Sequence, residues 1–589
     1  MRKLLQRICA FALMLCMLVP LLTGCAFGFR VVVQNEFDAL LDQLLVEAVS
    51  SSPLNYKMIF QDPEAYGLSY ESHMLLSRDI LQKQSEMAVK MRKKALEAMI
   101  EEIEGISPII LREGQRAAYY TVLDYFKTEL RYVDVVDHGC LIAPIGGFVA
   151  NLGINFYEFP FDSEADVKHY LKFLSNIPSA LEIVVEHTEM QVENGRYAMT
   201  DHVKNTNSDY LKSYMDEKES PFLVGFEAKI NICEFLDADA KKAYIAENKS
   251  VFQNDLVPSF KDTRSQIQKI TLKSETYLGA TEEGKRYYQY LLESESGTDM
   301  TVEEMEKYLK SKLATNMGIL RRYVQEHGNS EVYLHGVKVS SAEDVILQLQ
   351  NKVVTYMPTF QDPGCTITDL PEALSVAGVL AYYCIPAADN TTENIVRLNR
   401  AELGSDVSVA DLVSTIAHES YPGHLFQVNY WRQNDIHPLI SWLGQKSVCE
   451  GWAEYISIEA LGWLGATEEE VEYLRASMLA DRILVMLADL QVNYYGKSGE
   501  DLNTYLCANL GISGTGDHFS YLRDVLVADP CSYAAYTIGS LQVLDLAKSV
   551  SKEQKNDFDQ RAFYEAFLMA GACSFENIEM QVYKRLMIA

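Results

Sequence analysis

The string His418-Glu-Ser-Tyr-Pro-Gly-His424 constrains this chain more than any other stretch. Two imidazoles and a carboxylate fall where a helix is expected, yet Pro422 and Gly423 stand between the histidines. On an unbroken helix a six-residue step rotates the second ring by about 240° and lifts it by about 9 Å, so the rings point apart. The usual helical zinc spacing, HExxH, puts its histidines at i and i+4 on one face instead. Proline cannot donate to the carbonyl of His418, and its ring clashes there, so the helix must kink or stop. Glycine at 423 can take a positive-φ turn that swings His424 back. A shared metal therefore requires an interrupted helix. The competing reading is a helix that Pro-Gly simply ends.

The flanking residues favour chemistry. Ser408 caps a helix with Asp411 three residues on, and Val409, Leu412, Val413 and Ile416 form one apolar stripe at helical spacing. His418 points roughly opposite that stripe, off the packing face. A zinc ion with an open position takes three protein ligands. His418 and His424 supply two, and the third should come from another helix. Glu450 begins a helical run to Leu461, with Glu454 one turn further on the same face. Spacing alone does not separate these two. One can bind metal while the other holds an imidazole N–H, although most glutamates are solvated helix-face acids. Glu419 is placed to act as general base, taking a proton from water and returning it to a leaving amine.

The 589-residue chain reads as mainly helical from Asn35 to about Ile270. Long helices are expected over Ser72–Gly105, Leu111–Val135 and Glu164–Gly195, with a capping box at Thr301 and Glu304 further on. Val332–Val339 reads as a small hairpin, and so does Ala381 to Asn399. Ile395, Arg397 and Asn399 then mark an edge strand able to pair with a peptide backbone. Lysine and arginine number 52 against 82 acids, a balance that excludes an extended basic face for nucleic acid. None of the eight cysteines after Cys25 pair as CxxC, so a cysteine-held metal is not expected.

Residues 1–24 differ from the rest. Arg2, Lys3 and Arg7 precede an apolar run from 8 to 22, ending in Leu21-Leu22-Thr23-Gly24-Cys25. This is an export signal, and its end resembles the bacterial lipobox. That resemblance implies cleavage before Cys25, lipid on its thiol and new N-terminus, and an extracytoplasmic protein anchored to the membrane.

HESYPGH followed by EGWAEY (Glu450–Tyr455) resembles the bacterial domain-of-unknown-function 885 family, whose members carry HExxPGH and EGWAxY. The likeness extends to Tyr382–Asn399 and to PCSYAAYTIG, Pro530–Gly539. The family is similar to the gluzincin zinc metallopeptidases. The resemblance implies a large multi-helix peptidase body, mainly α, with small β-hairpins beside the active-site helix. It implies His418, His424 and Glu450 as zinc ligands, with Glu450 matching the first letter of EGWAxY and Glu454 its variable slot. It also implies Glu419 as base and Tyr536 as oxyanion donor, with His518 and Tyr533 as competitors for that last role. Two positions depart from the family's pattern: Ser532 stands where glutamine is frequent, and Ala547, beside Lys548, where an arginine is common.

The expected organisation is a signal peptide (1–24), an N-terminal helical domain walling a cleft (25–300) and a catalytic domain (301–589). The expected activity is zinc-dependent hydrolysis of oligopeptides. The alternatives are a zinc amidase or esterase acting on cell-wall fragments and a non-catalytic peptide-binding lipoprotein.

Overall fold

The computed structural model describes residues 26–588 except 71, 272–276, 329–331, 372–373, 376–378, 390–392, 405–406 and 514–515. The signal segment and Cys25 lie outside the described residues. The fold is mainly α, with one three-stranded sheet among the described residues. Ala26–Ser50 (α1) opens the body, and Phe148–Glu158 (α2) later ends against the sheet. Glu282–Ser296 (α3) and Val302–His327 (α4) follow, α4 starting at the expected capping box of Thr301 and Glu304. Ser72–Gly105 is not one helix. Its helical part is Glu86–Glu104, because the Ser85 side chain accepts the Ala88 N–H and caps it there.

The sheet contains Thr366–Asp369 (β1), Ala381–Cys384 (β2) and Ile395–Leu398 (β3), in the order β1-β3-β2. β2 and β3 form the expected antiparallel hairpin, with Tyr383 opposite Val396. β1 adds in parallel, with Thr366 opposite Ile395. This third strand corrects one expectation: β3 is the central strand, and β1 and β2 are the edges. Ile395 is therefore enclosed by strands on both sides. Arg397 makes a bidentate pair with Glu158 at the end of α2, at 2.9 and 2.7 Å, and the same carboxylate accepts the Tyr382 hydroxyl at 2.7 Å. Asn399 is buried, and its amide donates to the Val379 carbonyl at 2.8 Å. All three hold the sheet together.

Val332–Val339 does not form a hairpin among the described residues. His335 and Gly336 make a turn, but neither arm is a strand. Gly336 instead lies against the backbone of Gly465, where an added Cβ would come within 2.0 Å of the Gly465 carbonyl oxygen.

Five further helices build the site: Val409–Glu419 (α5), His424–Gln433 (α6), Lys446–Trp463 (α7), Glu468–Asp489 (α8) and Ala534–Gln554 (α9). α7 packs between α5 and α9, and α4 packs along α8. The apolar cores interleave across residue 300. One joins Phe37 and Val122 to Trp452 and Phe567, and another joins Tyr132 and Tyr288 to Leu487 and Ile538.

Candidate metal centre

The helix breaks where the sequence requires. Ser408 accepts the Asp411 N–H at 3.0 Å to start α5, and Glu419 is its last residue. Val413 and Ile416 are buried as expected, whereas Val409 is 41% exposed. Ser420 leaves the helical region at φ −112° and ψ −111°, the Tyr421–Pro422 bond is cis, and α6 restarts at His424. Gly423 has φ −78°, so the positive-φ turn expected of it is not what the glycine supplies. Its role is close approach. A Cβ at 423 would lie 1.9 Å from the His418 carbonyl oxygen and 2.5 Å from that of Ala417.

The loop is tied down from both sides. The Tyr421 hydroxyl donates to Asp362, and the Trp452 indole N–H donates to the Pro422 carbonyl at 3.2 Å. Trp452 is completely buried against Tyr564 and Phe567. Glu450 lies one turn inside α7, which begins at Lys446. Gly451 next to it allows α7 to touch α9. A Cβ there would come within 2.3 Å of the Gly539 carbonyl carbon, and one on Gly539 within 2.1 Å of the Ser447 oxygen. The letters of EGWAEY thus divide the work: Glu450 faces the site, Gly451 admits α9 and Trp452 fixes the turn.

His418 Nε2 and His424 Nε2 each lie 3.2 Å from the same oxygen, Glu450 Oε2, and the two rings stand at 89° to each other. Ligand atoms bound tetrahedrally to zinc at about 2.0–2.2 Å are separated by about 3.3 Å. The donor set, two imidazoles and one carboxylate from three helices, fits that ion. Glu419 also brings a carboxylate oxygen within 4.8 Å of both imidazoles. It stands further off, with Oε1 at 3.9 Å from His418 Nε2, and its Oε2 accepts the Tyr383 N–H of β2 at 2.9 Å.

Glu454 faces the other nitrogen of His418, with Oε1 at 3.5 Å from Nδ1, and Arg482 donates to that same oxygen at 2.7 Å. This places Glu450 and Glu454 in different positions, which spacing alone could not do. Burial would lower the His418 pKa, but Glu450, Glu419 and Glu454 together push it up to about 9. Burial raises the Glu419 carboxyl despite both histidines. Protons and a cation compete for this pocket of negative charge.

Tyr536 on α9 stacks near His418, with ring centroids 6.3 Å apart, and the Arg482 guanidinium lies 5.6 Å from its ring centre. Burial and the three surrounding glutamates raise its phenol pKa well above the usual value, so it stays a donor. The competitors sit elsewhere. His518 is exposed on the loop after Gly499–Leu510, and Tyr533 packs into the core shared by α3, α8 and α9. Neither lines the cavities at the site. Ala547 is buried, and Lys548 lies outside both cavities.

A cavity of about 810 Å³ opens on the histidines, walled by β2, α5, α7 and Arg482. A second, of about 520 Å³, lies beyond, lined by the His138–Gly146 loop and by Tyr197, Tyr287 and Asp529. The two share Lys446, Glu450 and Tyr536, so the cluster sits where they meet. The sequence reading missed Arg482, Tyr383 and Asp529. Arg482 leaves a trace: with Asp481 it is one of the two charges in the otherwise apolar stretch Leu479–Leu487. Tyr383 acts through its backbone, which no letter reveals.

No curated protein sequence matches the chain. Its fold is similar to that of a candidate lipoprotein from Colwellia psychrerythraea, at 15% identity and a TM-score of 0.70, covering 93% of this chain and 99% of that one. It is also similar to a candidate lipoprotein of unknown function from Shewanella oneidensis, at 14% identity and a TM-score of 0.55, covering 96% and 100%. At these identities the likeness concerns the fold. The profile of the bacterial proteins of unknown function DUF885 matches residues 64–582, and the chain therefore belongs to the DUF885 family.

Proposed function

We propose that the protein is a zinc-dependent peptidase that cleaves oligopeptides outside the cytoplasmic membrane. The observation that carries this reading is the convergence of His418 Nε2, His424 Nε2 and Glu450 Oε2, with Glu419 beside them and further off, at 3.9 Å from His418 Nε2. When bound, zinc would supply a water acidified towards pH 7 and a Lewis acid for the scissile carbonyl.

The protein groups account for the rest. Glu419, oriented by the Tyr383 N–H, takes the proton of the attacking water and delivers it to the leaving amine. Tyr536, kept protonated, donates to the oxyanion as it develops. Glu454 holds His418 Nδ1, and Arg482 fixes Glu454. An extended substrate pairs with β2, an edge strand. The Leu380 carbonyl accepts the Asn399 N–H, so Ala381 and Tyr383 turn their backbone groups away from β3; Glu419 takes the Tyr383 N–H, which leaves the Ala381 groups and the Tyr383 carbonyl to the substrate. Both line the larger cavity.

Two measurements test this. The mature protein should contain about one zinc per chain, and mass spectrometry of a peptide library should show cuts that a chelator abolishes. Metal-loaded protein that leaves every peptide intact while cleaving muropeptides would move the assignment to an amidase. Intact recovery of bound peptide would leave only a binding protein.

The location follows from the leader. No described helix is long and apolar enough to cross a membrane; the attachment proposed is lipid at Cys25. Cys25→Ser should stop incorporation of labelled palmitate and leave the leader uncleaved; palmitate incorporation that persists in this variant would contradict the lipid anchor.

A further inference from the structure

The smaller cavity contains a charge that the proposed reaction does not use. Asp529 lies at the start of the Pro530–Gly539 segment, is 7% exposed and lines that cavity. Its carboxylate accepts backbone N–H groups from Ile145, at 3.1 Å, and Gly146. Among the described residues no lysine, arginine or histidine pairs with it. The basic side chains of the same cavity are engaged elsewhere: Lys446 with Glu295 at 2.7 Å, and Arg196 and His138 with Glu283 at 2.6 and 3.1 Å. The remaining wall is largely apolar and aromatic, including Ile145, Tyr197, Tyr287 and Val527.

A buried carboxylate facing an apolar chamber without a counter-ion is costly, and a cation brought by a ligand relieves that cost. Burial already pushes the Asp529 carboxyl up to about 6. The position is rigid. The next residue but one, Cys531, holds a left-handed φ of 61°, and its N–H donates to Asp489 at 3.0 Å. Asp489 in turn accepts the Tyr288 hydroxyl at 2.5 Å.

We propose that this cavity is a subsite for a cationic nitrogen of the substrate, with Asp529 as its counter-charge. The assignment rests on the peptidase reading, because both cavities meet at Glu450 and Tyr536 and a chain lying across the metal centre reaches into each. The nitrogen is either a peptide's N-terminal ammonium or a basic side chain. Lys446 at the junction is neutralised by Glu295 and does not oppose it.

Titration calorimetry on zinc-loaded Glu419→Gln protein tests this with three probes: tetra-alanine amide, its N-acetylated form, and an N-acetylated peptide of the same length containing one lysine. The free-amine peptide should bind at least tenfold more tightly than its acetylated form. Asp529→Asn, which keeps an oxygen for the Ile145 N–H, should remove the difference without changing Tm. A preference found only for the lysine peptide, and lost in Asp529→Asn, assigns the subsite to a basic side chain. Equal binding by all three, a preference that survives Asp529→Asn, or no binding at millimolar peptide overturns the subsite. The acetylation contrast needs no change at Asp529, so misfolding of that variant cannot hide the answer. Cleavage by the unmutated protein is read separately. Amine-selective binding without cleavage would sink the peptidase reading and leave the subsite standing.

Discussion

Glu419→Gln should leave about one zinc per chain and lower peptide hydrolysis by about 10³-fold, near the middle of the range for losing a positioned general base. The metal should stay because Glu419 is not one of the converging donors. Its nearer oxygen is 3.9 Å from His418 Nε2, whereas Glu450 approaches both imidazoles to 3.2 Å. The geometry should stay too. Glutamine has the same length, and its amide oxygen can still accept the Tyr383 N–H now held at 2.9 Å. What disappears is the ability to take a proton. The loss should fall on kcat, since in the proposed reaction Glu419 acts on the attacking water and on no group specific to a particular substrate. Zinc content, Tm and kcat measured on the same preparation separate the possibilities. Turnover within tenfold of the unmutated protein would remove Glu419 as the base, and loss of zinc would make it a ligand. Glu450→Gln is the matching control, in which zinc should be lost first.

Much of this centre was legible in the letters because its parts are local. A proline four residues after His418 ends a helix in any context, and Ser408 with Asp411 starts one. The mainly helical fold was legible for the same reason, through periodicity and caps such as Thr301 with Glu304. Features set by distant partners were not. β3 read as an edge strand because the sequence shows only its hairpin with β2, and only the arrival of β1 from 26 or more residues upstream makes it central. Arg397 read as a substrate contact, but Glu158 claims it from more than 200 residues away. Glu450 and Glu454 share a helix face, and their roles separate only once Arg482 reaches Glu454 from α8. The start of α7 was placed too late because its N-cap, Gln445, makes no side-chain cap. Gly423 was assigned to the right turn for the wrong reason: a left-handed backbone was inferred where the constraint is the carbonyl of His418.

That distinction makes Gly423→Ala a sharp experiment. Had a positive φ been the requirement, alanine would cost about 1 kcal/mol and the site would survive. The observed φ of −78° is not left-handed, and the obstacle to alanine is space. The new methyl would meet the His418 oxygen at 1.9 Å, the Ala417 oxygen at 2.5 Å and the His418 carbonyl carbon at 2.6 Å, all backbone atoms of the helix that carries the first imidazole. Relief requires the turn to open, which breaks the bond from the Gly423 N–H to the Ala417 carbonyl, now 3.0 Å long, and carries His424 away from Glu450. Overpacking of this kind costs about 3 kcal/mol where backbone must move. The variant should hold well under half of the zinc bound by the unmutated protein, and its Tm should fall and stop responding to added zinc. Gly318→Ala supplies the control, since nothing lies within 4 Å of a Cβ there and the residue sits within α4. That change should keep full zinc and raise stability by up to about 1 kcal/mol through helix propensity alone. If Gly423→Ala binds zinc fully and melts with the unmutated protein, the tight return of the chain over His418 is not what brings the second imidazole home, and the account of how a six-residue spacing builds one metal centre fails with it.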